Sequence, residues 1–220
     1  MIFFLNNIPI GIFYYICIIF ITLMATKAER TKKYIIEKTA PVFNARGYAG
    51  TSMHDLMEVT GLTKGSIYGN FENKDEVALA AFDYNFQQVS IYIKSHMARH
   101  NAVIDKLLVY PQTYRNFLKL PFLSHGCPIA NTATEADDTH PELKEKVAQA
   151  LQYWRGSVEK LLKVGIENKE IKADINITEV VAVITGLIQG AALHAKATGK
   201  LNYLNAAMNF LETMIINLKK

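Results

Sequence analysis

The sequence predicts an all-α protein, a small three-helix head followed by a larger helical body, and three observations predict it. Apolar residues recur at spacings of three and four from Lys27 to the C-terminus. Pairs of capping residues three apart punctuate the first third: Thr26 with Glu29, Ser52 with Asp55, Asn73 with Glu76. Glycines fall at the breaks, at Gly47 and Gly61. The 220 residues suit one large domain or two small ones. We divide them into a leader (1–23), a head (24–74) and a body (75–220).

Composition narrows little else. Hydrophobic residues are 50% of the chain and charged residues 20%, an ordinary globular balance. The net charge of +4 is mildly basic and names no partner. Two cysteines, Cys17 and Cys127, are too few for a disulfide framework and fit a reducing, cytoplasmic setting.

The leader is unlike the rest of the chain. "MIFFLNNIPIGIFYYICIIFITLM" carries no charged side chain. It reads as translation upstream of a true start at Met24, as a short membrane anchor, or as a cleaved signal lacking its basic region. The basic "KAERTKK" after it would hold the rest of the chain on the cytoplasmic side of a membrane.

In the head, a first helix starts after Thr26, with Ile36, Ala40 and Phe43 on one face beside Ile35, Pro41 late in its length and Gly47 as its cap. Between residues 27 and 46 lie six Lys or Arg and two Glu. A second helix starts after Ser52, with Met53, Leu56 and Met57 as its stripe and Gly61 ending it. Thr63 is the N-cap of a third, Lys64 to about Asn70, and Asn73 opens a long fourth. Two short helices joined by a tight glycine turn are helix-turn-helix organisation.

The stretch "GLTKGSIYGNF" is thin in apolar residues, and DNA reading explains why. A helix seated in the major groove must be slim and polar toward the bases. Gly65 and Ser66 permit close approach. Thr63, Lys64, Tyr68 and Asn70 supply donors for phosphates and base edges, and Ile67 and Phe71 face back into the head. Arg30 and Lys33, with Lys27, Lys32 and Arg46, offer phosphate contacts.

These residues carry a resemblance. "FNARGYAGTSMHDLMEVTG" and "TGLTKGSIYGNFENKDE" resemble the DNA-binding domain of the TetR (tetracycline-repressor) family over roughly residues 27–80. The resemblance implies an all-helical bacterial repressor, a homodimer on a palindromic operator, released when the body binds a small-molecule inducer. It places Thr51, Ser52, Tyr68 and Lys74 at phosphates. Thr63, Lys64 and Gly65 fall at the groove, with Lys64 and Asn70 toward base edges. Gly69 and Asn70 depart from the bulky pair common in relatives, which leaves the operator open. No cofactor is implied.

Body helices are expected over "NAVIDKLLVYPQTYRNFLKL", in "GCPIANTATEADD", and from Pro141, a proline at the first helical position. Two more end the chain. The first is nearly uncharged between Val180 and His194; the second repeats Leu204, Met208, Leu211 and Ile215. The economical reading pairs these two helices with their copies in a second subunit.

Candidates for inducer contact are Tyr84, Phe117, Asn131, Trp154 and His194, although most aromatics in the body also read as ordinary core. Cys127 has two readings. At a helix start beside His125 its thiol pKa would fall, making it reactive; the segment through "HPELKEKV" resembles a subgroup that includes electrophile- and oxidant-sensing repressors. Otherwise it is a buried, inert thiol. Metal-ligand spacing, nucleophile–base motifs and phosphate loops are lacking, so the chain does not read as an enzyme.

Overall fold

The structure is a computed structural model that describes residues 26–220; the three readings of residues 1–23, and Cys17, lie outside the described residues. Helices α1 (Lys27–Arg46), α2 (Met53–Thr60) and α3 (Lys64–Tyr68) form the head. The body comprises α4 (Lys74–Met97), α5 (Val103–Arg115), α6 (Pro128–Ala136), α7 (Pro141–Glu167), α8 (Ile177–Thr198) and α9 (Asn202–Asn217).

Capping chemistry sets the starts. Thr26 Oγ1 accepts from Glu29 N at 3.2 Å, and the Glu29 carboxylate accepts from Thr26 N at 2.6 Å, a complete capping box. Ser52 and Asp55 repeat it for α2, which ends on Gly61 in the left-handed region. At α4 the reciprocity breaks: Asn73 accepts from Glu76 N, but Glu76 turns to Glu72 N and Lys32 Nζ instead.

The head core is Ile35, Ala40, Phe43, Leu56, Ile67 and Phe71, closed by Val77, Ala78 and Ala81 from the first turns of α4. Ile35 rather than Ile36 sits at its centre. The buried stripe of α1 runs Ile35–Thr39–Phe43 with Ala40 and Asn44 beside it, which leaves Ile36 at the margin.

Further along, α4 enters the body core with Phe82, Val89 and Ile93. There it meets α7, whose Leu143, Val147, Ala150, Trp154, Val158 and Leu162 recur at helical spacing. The helix expected over residues 101–120 stops at Arg115 and continues as two 3-10 turns, Phe117–Lys119 and Pro121–Leu123. Pro121 pushes Leu120 out of the helical region, to φ −93° and ψ 121°. At the far end, Lys172 N donates to Leu218 O and Lys220 N to Glu170 O, strapping the C-terminus across the α7–α8 turn.

The α9 stripe corrects one expectation. Leu204, Met208, Leu211 and Ile215 do not face a subunit interface: each is fully buried within this chain, against α5 and α8. Other large apolar side chains stay exposed: Tyr203 and Phe210 on one side of α9, Ile216 farther round it, and Val183 and Leu193 on α8. α8 is long and apolar enough to cross a membrane, but Val181, Ile184, Ile188, Ala191, Ala192 and Ala195 are spent on the body core.

Candidate nucleic-acid interface and internal cavity

The N-terminal end of α3 is bare. Thr63 caps it, accepting from Ser66 N at 3.2 Å, while Thr63, Lys64 and Gly65 are exposed and Ser66 half-buried. A Cβ on Gly65 would meet nothing within 4 Å, so the glycine leaves a flat approach. Lys64 Nζ lies 5.7 Å over the ring of Tyr68, itself half-exposed. Ile67 is fully buried and fixes the helix to the head. Arg30 and Lys33 are exposed on α1, Lys33 alongside Glu37 at 3.7 Å. Lys74 Nζ sits 4.1 Å over the ring of Tyr48. The Tyr48 hydroxyl donates to Asp75, and that hydrogen bond with burial pushes its pKa up to about 12.

Other sequence candidates are engaged elsewhere. Thr51 is fully buried and its hydroxyl donates to Gly47 O at 2.6 Å, so its side chain closes the α1–α2 turn rather than reaching a phosphate. Asn70 donates to Ser66 O at 2.9 Å, closing the end of α3, which is two residues shorter than expected. Ser52 is exposed, but its hydroxyl donates to Asp55. Lys32 pairs with Glu76 at 2.7 Å and Arg46 with Asp55 at 2.6 Å.

Inside the body, α4, α5, α6 and α7 enclose a cavity of about 70 Å³. Phe86, Val89, Ile93 and Met97 form one wall, Tyr110 and Tyr114 a second, Cys127, Pro128 and Ile129 a third, and Trp154 a fourth. The Tyr114 ring stacks on Trp154, planes 7° apart and centroids at 5.9 Å. Trp154 Nε1 is buried and has no acceptor among the described residues. Lys94 and Tyr153, both exposed, stand at the mouth with Lys94 Nζ 5.2 Å over the Tyr153 ring.

Cys127 is 2% exposed and its Sγ lies 3.4 Å from the Tyr114 hydroxyl. Burial pushes the thiol pKa up. The Tyr114 hydroxyl and the N–H groups of Ala130 and Ile129 at the start of α6 pull it down, but by less. The helix-start effect expected from sequence exists, and desolvation outweighs it. His125, the expected neighbouring cation, is exposed.

Of the remaining cavity candidates, only Trp154 lines it with Cys127. Phe117 is fully buried in the body core. Tyr84 lies toward α1, near Glu37 and Pro41. His194 is exposed and packs on Tyr203 at 4.5 Å. Asn131 stands at the joint between head and body. Its amide nitrogen is within 3.0 Å of Asn44 O, Asn44 Oδ1 and His125 O, and its Oδ1 accepts from Lys196. Asn44, buried on α1, donates in turn to Gly126 O at 3.1 Å.

At the other end of α6, Glu135 accepts from Tyr48 N at 2.8 Å and Ala49 N at 2.7 Å. Gly47 makes that approach possible: its φ is +73°, and a Cβ there would strike the Glu135 carboxylate. Sequence reasoning missed the α4 wall, Lys94 and Glu135. The spacing of Phe86, Val89, Ile93 and Met97 is visible in the sequence but indistinguishable from a core stripe.

A helix-turn-helix head mounted on an all-helical body with an internal cavity defines a DNA-binding transcriptional regulator. Residues 35–81 match the family model "Bacterial regulatory proteins, tetR family", and residues 103–211 match "Tetracyclin repressor-like, C-terminal domain". The crystal structure of a TetR-family transcriptional regulator from Cytophaga hutchinsonii is 42% identical, covers 89% of this chain and 98% of its own, and superposes with a TM-score of 0.85. The HTH-type transcriptional repressor DhaR of Mycobacterium sp. (strain GP1) is 23% identical over 75% of this chain and 82% of its own. Reduced NemR from E. coli shares the fold, with a TM-score of 0.75 at 18% identity, over 87% of this chain and 97% of its own. The chain belongs to the TetR family of transcriptional regulators, and the relatives it matches are regulators and not enzymes.

Proposed function

We propose that this chain is a cytoplasmic repressor that binds a palindromic operator as a homodimer and releases it when a small molecule occupies the cavity. One observation carries the reading. The segment from Gly126 to Ala136 walls the cavity with Cys127, Pro128 and Ile129, and the same segment grips the head through Gly126, Asn131 and Glu135. A ligand that displaces the wall therefore displaces the grip, and differential binding of the two arrangements shifts the head.

Lys64, Tyr68, Thr63 and Gly65 present α3 to the groove, with Arg30, Lys33 and Lys74 at phosphates. The exposed apolar face of α8 and α9 supports self-association. Reversible occupancy is favoured over thiol chemistry because Cys127 is buried with a raised pKa.

Operator selection from random duplex DNA tests the proposal, followed by competition with small molecules on the selected site. A palindrome bound by a dimer, with affinity falling steeply as salt rises, is the expected result. Failure to enrich any inverted repeat would sink it.

A further inference from the structure

We propose that the cavity takes a compact apolar acid, its hydrocarbon or aromatic body inside and its carboxylate at Lys94. The inference deepens the ligand-responsive reading and rests on it for any effect at DNA, though not for binding itself.

The interior wall is aromatic and aliphatic, so a polyol or sugar would lose its water there without recovering hydrogen bonds. Among the described residues lining the cavity, Lys94 is the single charged one and none is a carboxylate. A cationic ligand would therefore meet only like charge. Lys94 forms no ion pair among the described residues; its ammonium rests on the Tyr153 ring instead. Lys94 lies one turn after Ser90 and one residue after Ile93, all three lining the cavity, so its stem continues the apolar wall to the mouth.

A second observation points the same way. The indole N–H of Trp154, a residue 6% exposed, is buried without an acceptor among the described residues. A buried donor left unpaired is destabilising, and a ligand oxygen that reached it would remove that penalty. An ammonium at the mouth and an orphan donor within the wall both call for acceptor oxygens on an otherwise apolar molecule.

Trp154 is the only tryptophan of the chain, so its fluorescence reports the cavity directly. The probes are hexanoate and phenylacetate, each beside its primary amide, with hexylamine as the cation, titrated into the full chain and checked by calorimetry. The acids are expected to bind about tenfold more tightly than their amides, through the charge-assisted contact, and the amine not at all. Lys94→Met, which keeps the apolar stem, is expected to erase the difference, bringing the acids down to the affinity of the amides. Amides that match or exceed the acids overturn the proposal, as does a preference that survives Lys94→Met or a cavity that binds none of the probes. If the acids bind as expected but a selected operator is not released, the ligand class stands and the ligand-responsive reading fails. If an unrelated molecule releases the operator while the acids do not bind, the converse holds.

Discussion

Lys64 and Tyr68 show how much one turn of helix is asked to do. Both are exposed on α3 beside a glycine that leaves the surface flat, and Ile67 anchors the helix from behind. Lys64→Ala and Tyr68→Ala are each expected to weaken operator binding by about 1–3 kcal/mol, read by fluorescence anisotropy. Full affinity in both variants would remove α3 from the groove. Thr51→Val is expected to spare direct DNA contacts and instead to lower stability by about 1 kcal/mol, because it removes a partly buried hydrogen bond to Gly47 O. Chemical denaturation separates the two kinds of loss.

A second residue-scale expectation concerns alkali. Burial raises the pKa of Tyr110, Tyr114 and Cys127, so all three are held neutral in the folded chain. A group whose folded pKa lies above its unfolded value adds stability below the unfolded pKa and loses it as pH climbs toward the folded one. The denaturation midpoint should begin to fall as the pH approaches about 8.5, where an unfolded thiol is half ionised, and fall further towards about pH 10 as the unfolded tyrosines ionise in turn. Tyr110→Phe should flatten part of that fall. A midpoint indifferent to pH between about 9 and 11, the range of unfolded thiol and phenol ionisation, would mean that these groups are not held neutral by the fold.

Among the elements, α6 has most to do for its length. Its first turn walls the cavity and its last turn holds the head through Glu135. Gly47→Ala tests that hold: the added methyl must occupy the carboxylate's place at a φ of +73°. A loss of about 1–3 kcal/mol is expected from backbone strain and the displaced contact, measured by urea denaturation; an unchanged midpoint would show that the carboxylate moves aside freely.

The starts of these elements are legible in the sequence because caps are local: Thr26, Ser52, Thr63 and Asn73 announce helices by chemistry acting over three residues. The cavity is not legible, since its walls come from four helices far apart in the chain, and nothing local distinguishes Phe86 lining a void from Phe82 filling a core. The same limit explains α9. Its clean apolar stripe is visible, but which partner that stripe meets depends on α5 and α8.

For the whole molecule, the face left over on α8 and α9 is the surface on which we propose that a second copy docks. Tyr203 and Phe210 are each 62% exposed. Covering such side chains in a symmetric dimer removes apolar surface from water on both subunits at once. Phe210→Asp should shift the chain to monomers in sedimentation and lower operator affinity, because one head then docks without its twin. A variant that remains dimeric would move the interface to another surface.

Helix α4 belongs to both cores, giving Val77, Ala78 and Ala81 to the head and Phe82, Val89 and Ile93 to the body, while its Asn85 reaches back to Ala40 O. That continuity bears on how such regulators can be recombined. A graft that exchanged DNA specificities by cutting at residue 74 would strip the transplanted head of a third of its apolar floor. The unit that can be exchanged extends through Asn85, and it must arrive with the partners that Asn131 and Glu135 of the recipient expect, namely Asn44 and the Gly47 turn. Rewiring of inputs to outputs is thus confined to donors that share this joint, however different their recognition helices are.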